Sequence, residues 1–337
     1  MSDVIKMEHG GGGTLMKRLL EEVILPAYTL NRAGDGVGLP EMDDGATIPL
    51  GDQKIVFTTD TYTARPLFFP GSDIGRLAVC GTLNDVAMMG ARPLGLASSL
   101  VLEEGLEIDV IRRVVASMNS TLEEVGVPLI AGDTKIVEKG GVHELMITTS
   151  GVGVAKEVVT DSGLRPGNKI IITGTIGNHQ LALLAIREGL KLDSPLESDV
   201  APLWLMIEAA LKVGGITAMK DPTRGGVSGA LNEMASKSKA DVLLWEDEIP
   251  IKGVVRSASD LLGLDPLELA NEGVAIIVVD MEKAEEVLNV VKGSRYGADA
   301  SIVGEVMEGR GRVILETFIG GKRIVRAPVG SPMPRIC

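Results

Sequence analysis

Ile74-Gly-Arg-Leu-Ala-Val-Cys-Gly-Thr-Leu-Asn-Asp-Val-Ala-Met-Met89 is a long apolar stretch whose one adjacent polar pair is Asn84-Asp85. Asp73, after Gly71-Ser72, stands where an N-cap is needed, so the stretch predicts a helix that is buried along most of its length. Polar groups inside such a helix must find hydrogen bonds or a cation. Leu231-Asn-Glu-Met-Ala235 echoes Leu83-Asn-Asp-Val-Ala87. Working outward from these two helices, strands and helices follow in parallel order on either side of a loop-like segment, 160–168, which suggests duplication.

In the first half, apolar and β-branched runs predict strands at 54–60, 93–102, 127–131 and 144–154, with an amphipathic helix at 108–125. In the second half, strands are expected at 169–173, 241–245, 271–279, 300–306 and 313–317. Helices are expected from about 174 to 185, at 200–213, around 231–235, at 254–262 and at 281–291. The resulting fold class is α+β in two domains, 1–160 and 161–318, followed by an extended tail, 319–337. Ser331-Pro-Met-Pro-Arg-Ile-Cys337 closes that tail. Its prolines fix φ and lack backbone donors, so a stiff arm is expected, with Cys337 either an incidental thiol or a working group at its tip.

The 337 residues are 45% hydrophobic but only 3% aromatic, so two aliphatic cores are expected. A net charge of -13 argues against nucleic-acid and anionic-membrane binding, since both need a positive field. Two cysteines give no disulfide framework, and no apolar run reaches membrane-span length. With no signal-peptide pattern at Met1, a cytoplasmic protein is expected. Cys80, inside the apolar helix, reads as a small core side chain.

Carboxylates recur at the ends of elements beside Gly, Thr or Asn: Asp43 and Asp44, Asp60, Asp85, Asp133 and Asp221. Singly, each reads as a cap or turn residue. Collectively they suit Mg²⁺, which prefers oxygen ligands and bridges carboxylates to nucleotide phosphates. Asp221 and Arg224, from the second half, are placed to close over those phosphates. His9-Gly-Gly-Gly-Gly13 precedes a helix and offers its amides to an anion, although it lacks the Gly-Lys-Ser/Thr ending of a P-loop. A flexible linker is the alternative reading of that run. The three histidines are too scattered for a zinc site.

Met42-Asp-Asp-Gly-Ala46, Thr58-Thr-Asp60, Asn84-Asp-Val-Ala87, Ala131-Gly-Asp133 and Asp221-Pro-Thr-Arg-Gly-Gly226 resemble the superfamily of aminoimidazole ribonucleotide synthetase, selenophosphate synthetase and thiamine monophosphate kinase. Within it, His9–Gly13, Phe57-Thr-Thr-Asp-Thr61, Pro66-Leu-Phe-Phe-Pro-Gly71, Leu77–Asp85, Gly132-Asp-Thr-Lys135 and Pro334-Arg-Ile-Cys337 resemble the HypE family of hydrogenase-maturation carbamoyl dehydratases. Gly11 departs from that pattern, where the family usually has alanine.

The resemblance implies an aminoimidazole ribonucleotide synthetase-like fold: an N-terminal domain that dimerises through a β-barrel, a C-terminal α/β sandwich and a tail carrying a modified cysteine. It implies ATP and Mg²⁺ as cofactors and a homodimer. Its partners would be a carbamoyltransferase (HypF) that loads Cys337 and an iron-cyanide scaffold (HypC-HypD). The implied reaction is ATP-dependent dehydration of the Cys337 S-carboxamide to a thiocyanate, which supplies cyanide to [NiFe]-hydrogenase iron. The Asp set with Asn84 would then hold metal and phosphates, and Gly10, Gly11, Gly12, Gly13, Thr59, Thr61, Thr134 and Arg224 would bind the nucleotide. Lys135 would stabilise developing charge, and Glu272 is the candidate base or else a turn carboxylate. His179 is a further acid–base candidate or else a surface or capping histidine, and Arg335 could pair with a carboxylate and position the tail or else be a solvated charge. A small-molecule kinase or synthetase of the superfamily, with an incidental Cys337, and a non-catalytic nucleotide-gated scaffold are the rival readings.

Overall fold

The computed structural model describes residues 4–330. Helix α1 (Gly13–Leu19) follows the glycine run, and the first half then builds β1 (Ala46–Leu50), β2 (Gln53–Tyr62), β3 (Phe68–Phe69) and β4 (Ser72–Asp73). Next come α2 (Ile74–Met88), β5 (Arg92–Glu103), α3 (Ile108–Val125), β6 (Leu129–Val137) and β7 (Leu145–Ala155). The expected N-cap is present: Asp73 Oδ1 accepts the amides of Gly75 at 2.7 Å and Arg76 at 3.2 Å. Five strands form one sheet in the order β1-β2-β7-β5-β6, antiparallel except for the β5–β6 pair. Burial alternates residue by residue along β7, so one face of the sheet packs on α2 while the other stays open.

The second half contains β8 (Lys169–Ile172), α4 (Asn178–Glu188), α5 (Trp204–Val213), β9 (Ile216–Lys220), α6 (Gly226–Ser238), β10 (Ala240–Trp245) and α7 (Gly253–Leu262). It ends with β11 (Ile276–Val279), α8 (Ala284–Lys292), β12 (Ser301–Glu308), β13 (Val313–Glu316) and β14 (Lys322–Val325). These strands make a sheet ordered β14-β13-β10-β12-β8-β11-β9. Both faces of its centre are covered. Ile170, Ile172 and Val278 pack with Val227 and Met234 of α6, whereas Ile171, Ile277 and Val279 join α5, α8 and Leu77 and Leu83 of α2 in one cluster. The two halves therefore share a continuous apolar core, and α2 is its central rod.

Three expectations change. β6 does not stop at Ala131: its parallel pairing with β5 carries the strand through Gly132-Asp133-Thr134-Lys135. The strand expected from 271 starts at Ile276, because Asn271 and Glu272 are held by side-chain and backbone bonds outside the ladder. The segment assigned to an extended tail from 319 begins as sheet, since Lys322–Val325 pairs antiparallel with β13. Cys80 is fully buried and burial pushes its thiol well up, as expected for a core residue.

Candidate active site

The period of two along β2 puts Thr58, Asp60 and Tyr62 on the face toward α2. From α2, Asp85 meets them, and its Oδ2 accepts the Thr58 hydroxyl at 3.0 Å. The second half closes the space with Asp221 and Arg224, from the β9–α6 loop, and Glu272, which precedes β11. The result is a cavity of about 300 Å³ at the seam of the two halves, bounded by Asp43 and Asp44 on a further side.

Its electrostatics are one-sided. Burial pushes the Asp85 carboxyl well up, and Asp60 and Asp221 push it further. Asp221 is raised to about 8 by burial and then by Asp44, with Lys220 opposing. Glu272 is driven well above the usual carboxylate range by burial, then Asp221, Asp199 and Asp60, with Arg224 opposing. Asp43 is raised to about 7 by burial, then Asp161 and Asp44. Asp44 Oδ2 is buried with no hydrogen-bond partner. Among the described residues no three His, Cys, Asp or Glu side chains converge closely enough to hold a metal by themselves. An oxygen-only set with a surplus of negative charge suits a hard cation whose remaining ligands are phosphate and water.

A buried charge clip sets the position of Asp43 and Asp44. Lys220 Nζ lies 2.6 Å from Asp44 Oδ1 and 3.3 Å from Asp161 Oδ2, and Lys237 Nζ donates to the same Asp161 oxygen at 2.6 Å. Lys237 also donates to the carbonyl of Met42 at 2.8 Å, and the Asp161 amide donates to Asp43 Oδ2 at 3.2 Å. Burial alone would lower the Lys220 ammonium, but Asp44 and Asp161 outweigh it and hold it well up.

A second cavity, about 390 Å³, shares Asp44, Asp221 and Arg224 with the first and is roofed by Gly12 and Gly13. Both glycines have left-handed φ, +76° and +71°. A Cβ on Gly12 would lie 2.9 Å from the Arg224 carbonyl carbon, and one on Gly13 would lie 2.0 Å from Pro328 O. The chain needs glycine there to let backbone meet backbone. At the start of α1, the amides of Thr14 and Leu15 donate to Pro328 O and Val329 O, each at 3.0 Å. The root of the C-terminal segment is thus stitched to the glycine run.

The structure gathers Asp43, Asp44, Asp60, Asp85, Asp221, Thr59, Thr61, Arg224 and Glu272 around one cavity, with Gly12 and Gly13 around its neighbour. Gly10 and Gly11 line neither. Asn84 is corrected: its amide donates to Ala201 O and Glu272 O and its Oδ1 accepts Leu203 N–H, so it clips the two halves together. Asp133, Thr134 and Lys135 are also corrected for a single chain. The row Asp60–Thr149–Ser98–Gly132 places β6 three strands from β2, about 14 Å away. His179 lies in the core, 2.8 Å from Ser198 Oγ and edge-on to Phe69, and burial pushes its imidazole down to about 3. It is a neutral structural histidine. Cys337 and Arg335 lie outside the described residues. Missed by the sequence were Tyr62, Lys220, Lys237, Asp161 and Asp199. Only Tyr62 had a signal, its even spacing from Thr58 and Asp60.

Residues 42–155 match the AIR synthase related protein N-terminal domain, and 165–316 match its C-terminal domain. A carbamoyl dehydratase HypE of Azotobacter vinelandii is 42% identical over 337 residues, covering 99% of this chain and 97% of the relative. That of Escherichia coli strain K12 is 38% identical, covering 99% of each. Among solved structures, one from a HypE-HypF complex is similar with a TM-score of 0.86 and 42% identity, over 92% of this chain and 99% of that one. The hydrogenase maturation protein HypE in complex with ATP gives a TM-score of 0.82 at 38% identity, over 99% and 100%.

Proposed function

The chain belongs to the AIR synthase related family and, within it, to the HypE carbamoyl dehydratases, and we propose that it dehydrates an S-carboxamide on its own Cys337 to a thiocyanate with ATP. The observation that carries this reading is the pair of joined cavities, one built of carboxylates and the other roofed by glycine, with the root of the cysteine-bearing segment bonded to that roof.

The chemistry sets what the residues must do. An amide oxygen leaves poorly; once it carries the γ-phosphoryl group of ATP it departs as phosphate. The C–O bond breaks, two N–H protons are lost and the C≡N bond forms, leaving ADP and phosphate. Glu272, on the wall of the first cavity, takes a proton from the amide nitrogen. Arg224, common to both cavities, supports the phosphate oxygens. Mg²⁺, when bound with the nucleotide, would neutralise charge on the phosphates, and the unpartnered Asp44 oxygen with Asp60, Asp85 and Asp221 fits it.

The edge and the open face of the first sheet support a homodimer. Ile130 and Ile136, 60% and 63% exposed, lie on the edge strand β6, and Phe57 of the internal strand β2, 44% exposed, lies on the face away from α2. A second copy closing a barrel on this face would bring its Asp133, Thr134 and Lys135 to the seam, which gives Lys135 access to the developing charge. Ile136→Asp is expected to yield monomers in sedimentation and to lower dehydration at least tenfold, because each site would lose those residues. HypF as the loading partner is supported by the relative solved with it. The reading extends to delivery of cyanide to a HypC-HypD scaffold in the cytoplasm. Among the described residues no helix is long and apolar enough to cross a membrane.

Full-length protein carbamoylated on Cys337 and given Mg-ATP tests the reading. Loss of one water from the C-terminal peptide by mass, matched to phosphate release, is expected. ATP turnover on a small metabolite that is indifferent to Cys337 would overturn it in favour of a kinase, and nucleotide binding with an unchanged tail mass would favour a carrier.

A further inference from the structure

Tyr62 stands among the carboxylates of the first cavity without being one of them, and the direction of its proton follows from its surroundings. It is 8% exposed, and its hydroxyl lies 3.2 Å from Asp60 Oδ2 and 3.3 Å from Thr82 Oγ1. Thr82 Oγ1 is in turn 2.6 Å from Thr149 Oγ1, and Thr149 donates to the carbonyl of Ala78 at 3.1 Å. A carbonyl only accepts, so the single Thr149 proton is committed there. The Thr82–Thr149 contact must then use the Thr82 proton. Thr82 is left as an acceptor, and the Tyr62 proton can point only to Thr82 or to Asp60. Between a neutral hydroxyl and a carboxylate at similar distances, the carboxylate takes it, since hydrogen bonds to charged groups are the stronger.

The helix is cut to fit this phenol. A Cβ on Gly81, in the middle of α2, would lie 2.2 Å from the Tyr62 hydroxyl oxygen. Glycine within a helix is unfavourable by about 1 kcal/mol relative to alanine, so the slot is kept against local preference. Gly81, Thr82 and Thr149 together seat and orient one hydroxyl.

We propose that Tyr62 is a positioning residue for the dehydration: its hydroxyl is a fixed donor that holds the Asp60 carboxylate in the orientation that receives the cation and nucleotide phosphates. The inference rests on the function proposed above. It asks that the seat be polar, not merely filled, so phenylalanine, which fills the same slot, separates the two.

The test uses the full-length chain with Mn²⁺ as probe and a non-hydrolysable ATP analogue, with free Mn²⁺ read by electron paramagnetic resonance. Tyr62→Phe is expected to weaken Mn²⁺ binding about tenfold, the scale of one hydrogen bond to a charged acceptor, while the thermal midpoint stays close to wild type. Gly81→Ala, which evicts the phenol without removing it, is expected to do the same; if that variant fails to fold, Tyr62→Phe decides alone. Unchanged Mn²⁺ affinity in Tyr62→Phe would overturn the proposal, as would a lowered midpoint with affinity intact, which marks packing only. If Tyr62→Phe weakens Mn²⁺ but carbamoylated wild type releases no water with Mg-ATP, the positioning role stands and the dehydratase reading falls.

Discussion

Cys337→Ala is expected to abolish dehydration completely while leaving nucleotide binding within a few-fold of wild type. In ordinary enzymes a lost nucleophile leaves residual catalysis, because the rest of the site still binds substrate. In the proposed reaction the thiol is the point of attachment of the substrate, so nothing would remain to be turned over. In the proposed site the nucleotide is held by the carboxylates, Arg224 and the glycine roof, which line the two cavities. The segment that leads to the cysteine is rooted beside the glycine roof, where the amides of Thr14 and Leu15 donate to Pro328 O and Val329 O. Isothermal titration with an ATP analogue, beside phosphate release from protein exposed to a carbamoyl donor, checks both halves of the expectation. A variant that still forms the nitrile would sink the assignment of the carrier group.

Glu272→Gln carries the second large effect. The base must accept N–H protons from an amide, and positioned proton transfer contributes about 10²- to 10⁴-fold. Glutamine keeps the shape and cannot take the proton, so a fall of that size in single-turnover dehydration of the carbamoylated tail is expected, with Mg-ATP affinity little changed. The backbone of residue 272 should stay where it is, because its amide donates to Asp199 Oδ1 at 3.0 Å and its carbonyl accepts from Asn84. Neither bond uses the side chain. Dehydration at wild-type rate would remove Glu272 from the base role, and loss of ATP affinity alone would recast it as part of the nucleotide seat.

The frame was legible where local and tertiary preferences agree. The Asp73 cap and the amphipathic run over α3 gave those helices within a residue, and the Ile-, Thr- and Val-rich run gave β7. Elements whose residues lack a local signature stayed hidden. Ile216–Lys220 sits between two glycines and Asp-Pro and shows no clean alternation, and Lys322–Val325 is an exposed, charged edge strand. The site divides along the same line. Asp60, Asp85, Asp221 and Glu272 occupy positions that the chain's motifs mark, and folding brings them together. Asn84 shows the limit: a buried amide must be satisfied, but whether by phosphate or by the carbonyls of Ala201 and Glu272 is settled by tertiary packing. Lys220, Lys237 and Asp161 meet across 76 residues or fewer of sequence with no shared motif, so only the folded chain reveals them.

That clip in the connecting segment bears on ancestry and cooperativity. A chain that carries the marks of duplication invites the picture of two modules that could be cut apart and studied separately. Asp161 is 1% exposed and holds two lysines of the second half against residues 42–44 of the first. Cutting there would strand buried ammonium groups and bare the apolar rod of α2 at once, and isolated buried charges are costly to leave unpaired. A repeated order of elements therefore does not make two autonomous parts. A single cooperative transition in calorimetry is expected for the whole chain.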